Sequence, residues 1–165
     1  QVFKFVFDSA TDDESALEYI RWCFGKRIGK VEFDNCGDNA TWNYASKLLE
    51  GTQFKQFRVK ADKLSGDDDN IILDAIKKHK VDDFYLEIRK VATADPVKFL
   101  VDLSSLVRSI YIWINPGKKI RGNSAYFFGL RNVDWAPIIL DMFTKKMDKL
   151  CIDNSSRPEY LFQAS

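Results

Sequence analysis

Histidine is almost missing from this chain: position 79 holds the only one in 165 residues. Histidine-based triads and most catalytic zinc sites therefore lack their ingredients. Cysteine is scarce as well. Cys23, Cys36 and Cys151 make an odd count with no CxxC pair. Neither a disulfide framework nor a thiolate zinc centre is expected, and reduced thiols point to a cytoplasmic or nuclear compartment. No charge of one sign is in excess. Twenty-five basic residues against 24 acidic ones leave a net charge of +1, without the electrostatic footprint of a nucleic-acid binder. No apolar run approaches the length of a membrane span. The sequence thus implies no metal, no cofactor, no nucleic acid and no membrane.

Phosphate-binding loops are missing too. Gly117-Lys118-Lys119-Ile120-Arg121-Gly122 has the outer glycines of such a loop. Asn123 stands where the motif needs lysine, so a solvated loop is expected, with a patch for an acidic partner as the lesser alternative. The acidic runs Asp12-Asp13-Glu14 and Asp67-Asp68-Asp69 lack the alternating ligands of a calcium loop. Both precede helical patterns, where acids stabilise exposed backbone N–H groups. His79 sits in the run Lys77-Lys78-His79-Lys80, and reads as a cation at a helix C-terminus. Asn39-Ala40-Thr41 and Asn154-Ser155-Ser156 match the glycosylation tripeptide, a pattern common by chance.

What the sequence has is periodicity. Six segments carry two apolar anchors one residue apart: Phe3/Phe5, Val31/Phe33, Phe57/Val59, Phe84/Leu86, Ile110/Ile112 and Leu150/Ile152. Alternation of aromatic and β-branched residues reads as strand. Between second anchors the steps are 28, 26, 27, 26 and 40 residues. Helical three- and four-residue spacing follows each of the first four strands. The apolar stripes are Leu17/Ile20/Phe24, Ala45/Leu48/Leu49, Ile72/Leu73/Ile76 and Phe99/Leu100/Leu103/Leu106. Ser65 and Asp95 read as N-caps, Asp95 with Pro96 at the first helical position. The long fifth step holds Ser124–Leu130 and a helix over Asp134–Met147, with Ile138, Ile139, Met142 and Phe143 inward. Short polar residues recur three places after the second anchor, at Asp8, Cys36, Asp62 and Asn115; Arg89 breaks the rule.

This pattern predicts an α/β fold: a leucine-rich-repeat-like β-α solenoid, with a parallel sheet on one face and helices on the other. Residues 1–165 read as a single repeat domain of about six units, a piece of a longer chain. The alternative is a doubly wound α/β enzyme or nucleotide-binding domain. Strands buried on both faces read as near-continuous apolar runs, whereas these interpose Glu32, Arg58, Lys60 and Glu87.

The residues between the anchors are the candidate site, since a strand points successive side chains to opposite faces. Arg58, Lys60 and Glu87 make one part charged, and Tyr85, Tyr111 and Trp113 make the next part aromatic. Such aromatics are enriched at binding hot spots, so the site reads as partner-binding, with no catalytic residue. The competing expectation is that a terminal segment or another domain covers them.

With this repeat and the ending Trp135-x-x-Ile138 … Leu150-x-Ile152-x-Asn154, the chain resembles nematode F-box-associated domains. These are leucine-rich-repeat-like regions that follow an F-box. The resemblance implies a protein–protein interaction module that recognises substrates for an F-box-type ubiquitin ligase adaptor. It also implies cullin–RING components bound through an N-terminal region that this sequence does not include.

Overall fold

The computed structural model describes residues 2–7, 19, 22, 27–33, 46–47, 49–64, 67–91, 95–114, 134–153 and 158–163. They form an α/β fold around one seven-stranded sheet. The strands are β1 (Val2–Phe7), β2 (Arg27–Phe33), β3 (Phe54–Leu64), β4 (Asp83–Val91), β5 (Ser109–Ile114), β6 (Lys149–Asp153) and β7 (Pro158–Gln163). Three helices are described: α1 (Asp68–His79), α2 (Pro96–Leu106) and α3 (Trp135–Phe143). The strands lie in sequence order across the sheet. All six periodic segments are strands, and β1 to β6 pair in parallel. Among the described strands the order never reverses, so they form no switch point of the kind at which doubly wound folds bind ligands.

Register aligns the anchors into rows. Phe5, Val31, Phe57, Phe84, Ile110 and Leu150 face one another in turn, and Phe7, Phe33, Val59, Leu86, Ile112 and Ile152 form the next row. By register, the pair in β1 is therefore Phe5/Phe7 rather than Phe3/Phe5. The step from position 7 to position 33 is then 26 residues, and the outlying 28 disappears. Three alternating residues, Phe3, Phe5 and Phe7, confuse a rule based on alternation alone.

The described anchors of β2 to β6 are buried in one core with Ile72 and Ile76 of α1, Phe99, Leu100 and Leu103 of α2, and Met142 of α3. Ile138, Ile139 and Phe143 pack partly against it. These helices thus cover the anchor face. A further row went unread in the sequence: Phe54, Val81, Val107 and Met147, each three residues before a first anchor, are all buried. The backbone repeats there too. Asp82 N–H donates to Lys55 O at 3.0 Å, Arg108 N–H to Asp82 O at 2.8 Å and Asp148 N–H to Arg108 O at 2.8 Å.

Several boundaries differ from expectation. The last helix ends at Phe143, with Thr144 as C-cap, rather than at Met147. Met147 is instead a buried residue leading into β6. Asp67, not Ser65, is the N-cap of α1, and Asp68 and Asp69 fill its first turn. Asp95 caps α2 as expected, its carboxylate accepting from Lys98 N–H at 3.0 Å with Pro96 next in line. The strand β7 was not anticipated, and it pairs antiparallel with β6. Its Tyr160 and Phe162 have the anchor spacing and pair with Ile152 and Leu150, but they follow β6 too closely to fit the repeat step on which the reading depended. Of the expected helix at Leu17–Phe24 only Tyr19 and Trp22 are described, both helical; the Ser124–Leu130 segment lies outside what is described, as do the side chains of Asp8, Cys36, Asp62 and Asn115.

Lys80 closes α1 in the left-handed region, at φ 52° and ψ 50°, donating its N–H to Ile76 O. A side chain is disfavoured there and glycine is not. Lys80→Gly should raise stability by about 1 kcal/mol, a gain of about 2–4 °C in Tm. Thermal melts of the two proteins check it.

Candidate partner-binding surface

The face opposite the helices carries the residues between the anchors. One register row runs Glu32, Arg58, Tyr85, Tyr111, Cys151, and the next runs Lys60, Glu87, Trp113, Asp153. The sheet therefore brings all six candidate residues, Arg58, Lys60, Tyr85, Glu87, Tyr111 and Trp113, onto adjoining positions of β3, β4 and β5. Tyr85 and Tyr111 lie with ring centroids 5.7 Å apart, tilted by 34°.

These residues are half-buried rather than fully exposed. Neighbouring side chains on a pleated face shield one another, an effect that alternation alone does not count. Arg58 Nη2 meets Glu87 Oε2 at 2.9 Å, and Lys60 Nζ lies 4.0 Å from the same oxygen. Glu32, buried, meets Lys30 at 3.2 Å and Lys60 at 3.6 Å. Glu32 and Lys30 are the members of this network that the sequence reading left off its candidate list. Alternation had placed Glu32 on this face, but nothing local indicated its partner Lys60 on the next strand.

Burial pushes the Tyr85 hydroxyl above the ordinary phenol range; Asp83 adds to the shift and Arg58 opposes it. Tyr85 is thus a neutral donor at physiological pH. Among the described residues, the buried Nε1 of Trp113 has no hydrogen-bond partner, and a buried N–H left unpaired costs about 1–3 kcal/mol of desolvation.

His79 lies elsewhere and behaves differently from expectation. It is buried, not a solvated cation. Its ring stacks on Phe54 at 4.8 Å, and Nδ1 donates to the Thr52 carbonyl at 2.9 Å. The signal was its spacing: Ile72, Ile76 and His79 share the buried stripe of α1, while Lys77, Lys78 and Lys80 face water. Desolvation holds the imidazole below its ordinary pKa of 6.5; the Thr52 hydrogen bond opposes this and Lys78 reinforces it. His79 therefore folds neutral. It costs nothing above pH 6.5, and stability falls as pH drops below 6.5 towards the lowered folded value. His79→Ala should cost about 2–3 kcal/mol at pH 7.5 through the lost stack and hydrogen bond. The cost should shrink towards pH 5.5. Urea unfolding of both proteins across that range checks the sign.

A second aromatic pair stands apart from the sheet. Tyr19 and Trp22, both helical and exposed, stack at 5.9 Å. Among the described residues no three His, Cys, Asp or Glu side chains gather as a metal site. Among them, too, no helix is long and apolar enough to cross a membrane. Neither a protein-family model, nor a curated protein, nor a solved structure matches this chain, so the strand face opposite the described helices is characterised by its own geometry.

Proposed function

We propose that this domain is a protein–protein interaction module that recognises its partner with the open face of the sheet. The observation that carries this reading is the continuous patch of Tyr85, Tyr111 and Trp113 across β4 and β5, on the face opposite the described helices. Large aromatic side chains that keep part of their surface in water usually have an occupant. Rigid rings also give contact area at low entropic cost.

The finer architecture we propose is a leucine-rich-repeat-like solenoid. Its support is the sequential strand order, the constant step of 26 or 27 residues from β1 to β5, and the backbone rungs that precede β4, β5 and β6. Solenoids use such a strand face for extended partner contact. The resemblance to F-box-associated domains would make the partner a ubiquitination substrate in the cytoplasm or nucleus, with no catalysis by this chain.

Site-directed photocrosslinking in living cells tests the surface. A benzophenone side chain placed at Tyr111 should yield discrete protein adducts. The same group at Lys98, exposed at the start of α2, should not. Equal adducts from both positions, or none from Tyr111, would remove the strand face as the binding surface.

A further inference from the structure

The segments that lead into β2, β3, β4, β5 and β6 share a sign. In residues 24–29, 47–55, 77–83, 105–109 and 144–149 alike, Lys and Arg outnumber Asp and Glu. Backbone rungs set the last four side by side, so that Lys55, Asp82, Arg108 and Asp148 follow one another along one edge of the fold. The two carboxylates in that row are matched, Asp82 by Lys146 at 3.7 Å and Asp148 by Arg108 at 3.1 Å. Lys55, Lys77, Lys78, Lys80, Lys145 and Lys149 are exposed there and join no ion pair among the described residues. Glu50, Asp83 and Asp141 are the described carboxylates that stand among them. Lysines in the last turn of a helix offset its dipole, but Lys55 and Lys149 begin strands and cap no helix. The opposite end, where the helices start, is acidic instead, with Asp67, Asp68, Asp69, Asp95 and Asp134. A chain whose charges nearly cancel thus keeps a positive field along one edge.

We infer that this edge, where helices end and strands begin, docks an extended acidic segment of a partner protein. Adjacent strands lie about 4.8 Å apart, so the row from β3 to β6 spans about 14 Å, the reach of roughly four or five extended residues. Carboxylates on such a segment meet the lysines and pass over the anionic positions with neutral residues. A nucleic acid fits less well, because its unbroken row of phosphates would lie on Asp82, Asp83 and Asp148. The docking uses none of Tyr85, Tyr111 or Trp113, so it stands or falls separately from recognition by the strand face.

The probe is a fluorescent peptide of alternating Glu and Ser, about eight residues long, titrated with the whole 165-residue chain. A thymidine oligonucleotide of equal charge is titrated beside it. The peptide should bind, and its Kd should rise about tenfold between about 50 and about 500 mM NaCl. Lys77→Glu/Lys78→Glu and Lys145→Glu should each weaken it about tenfold at the lower salt. These variants lie in different repeats, so a folding defect in one does not decide the result. Lys98→Glu, at the acidic end, should change the Kd less than about twofold. No binding at low salt, or an equal loss in Lys98→Glu, would overturn the edge as a docking surface. Equal or tighter binding of the oligonucleotide, with the same dependence on the lysines, would overturn the acidic protein segment as its occupant.

Discussion

Phe57→Ala should be among the most damaging single changes in the chain, costing about 3–5 kcal/mol. Phe57 is fully buried in the middle of the anchor row, opposite Val31 on one side and Phe84 on the other. Its ring meets Phe33 edge-on at 5.3 Å, Phe54 at 5.8 Å and Phe84 at 5.9 Å. Removing it opens a cavity bordered by three strands of the sheet. Local collapse cannot fill that space, because the hydrogen-bonded ladder fixes the strand spacing. Domains of this size are stable by only about 5–15 kcal/mol, so Tm should fall by on the order of 10 °C. Calorimetry or denaturant unfolding reads the effect directly. A loss below about 1 kcal/mol would mean that Phe57 is not packed as described.

Trp113→Ala should have its largest effect on binding rather than on folding. The residue lies on the open face, on β5, in register with Glu87 on β4. It is half-buried, so its truncation removes only part of a buried ring's contribution, and the loss is offset by removal of an unpartnered buried N–H. The fold should therefore lose about 1 kcal/mol, well short of a core truncation. Binding of a partner on the strand face should weaken by about 2 kcal/mol or more, which is about thirtyfold. Leu140→Ala, at an exposed position of α3 on the helical side, should leave binding unchanged. Titration of partner into each variant, alongside thermal melts, separates the two effects. Equal loss of binding in both variants would place recognition elsewhere.

Strand positions were legible in the sequence because one face of each strand is buried and the other is not. That asymmetry writes a period of two at Phe57/Val59, Phe84/Leu86 and Ile110/Ile112, and burial follows it closely. The helices α1 and α2 were legible for the same reason, through Ile72/Ile76 and Phe99/Leu103. Parallel neighbours need crossover connections, so alternating elements fixed the direction of β1 to β6.

What was not legible depends on neighbours distant in sequence. Glu32 reads as a solvated strand residue until β3 brings Lys60 beside it. His79 reads as one more cation until Thr52 and Phe54, about one repeat earlier, stack and bond to it. Strand β7 turns straight back on β6, so its Tyr160/Phe162 pair falls outside the repeat step that announced the other strands. Strand alternation placed the candidate residues on the face opposite the described helices, where the register also has them. Alternation could not reveal that Arg58 and Glu87 would neutralise each other at 2.9 Å.

The most direct test is to ask which face of the sheet a bound partner touches. Aromatic and methyl resonances of the protein can be compared free and saturated with a protein partner captured by the photocrosslinking at Tyr111. The account predicts changes concentrated on Tyr85, Tyr111 and Trp113, with Leu140 and Ile138 of α3 unmoved. Changes confined to the helical side, with the three aromatic rings unaffected, would contradict it.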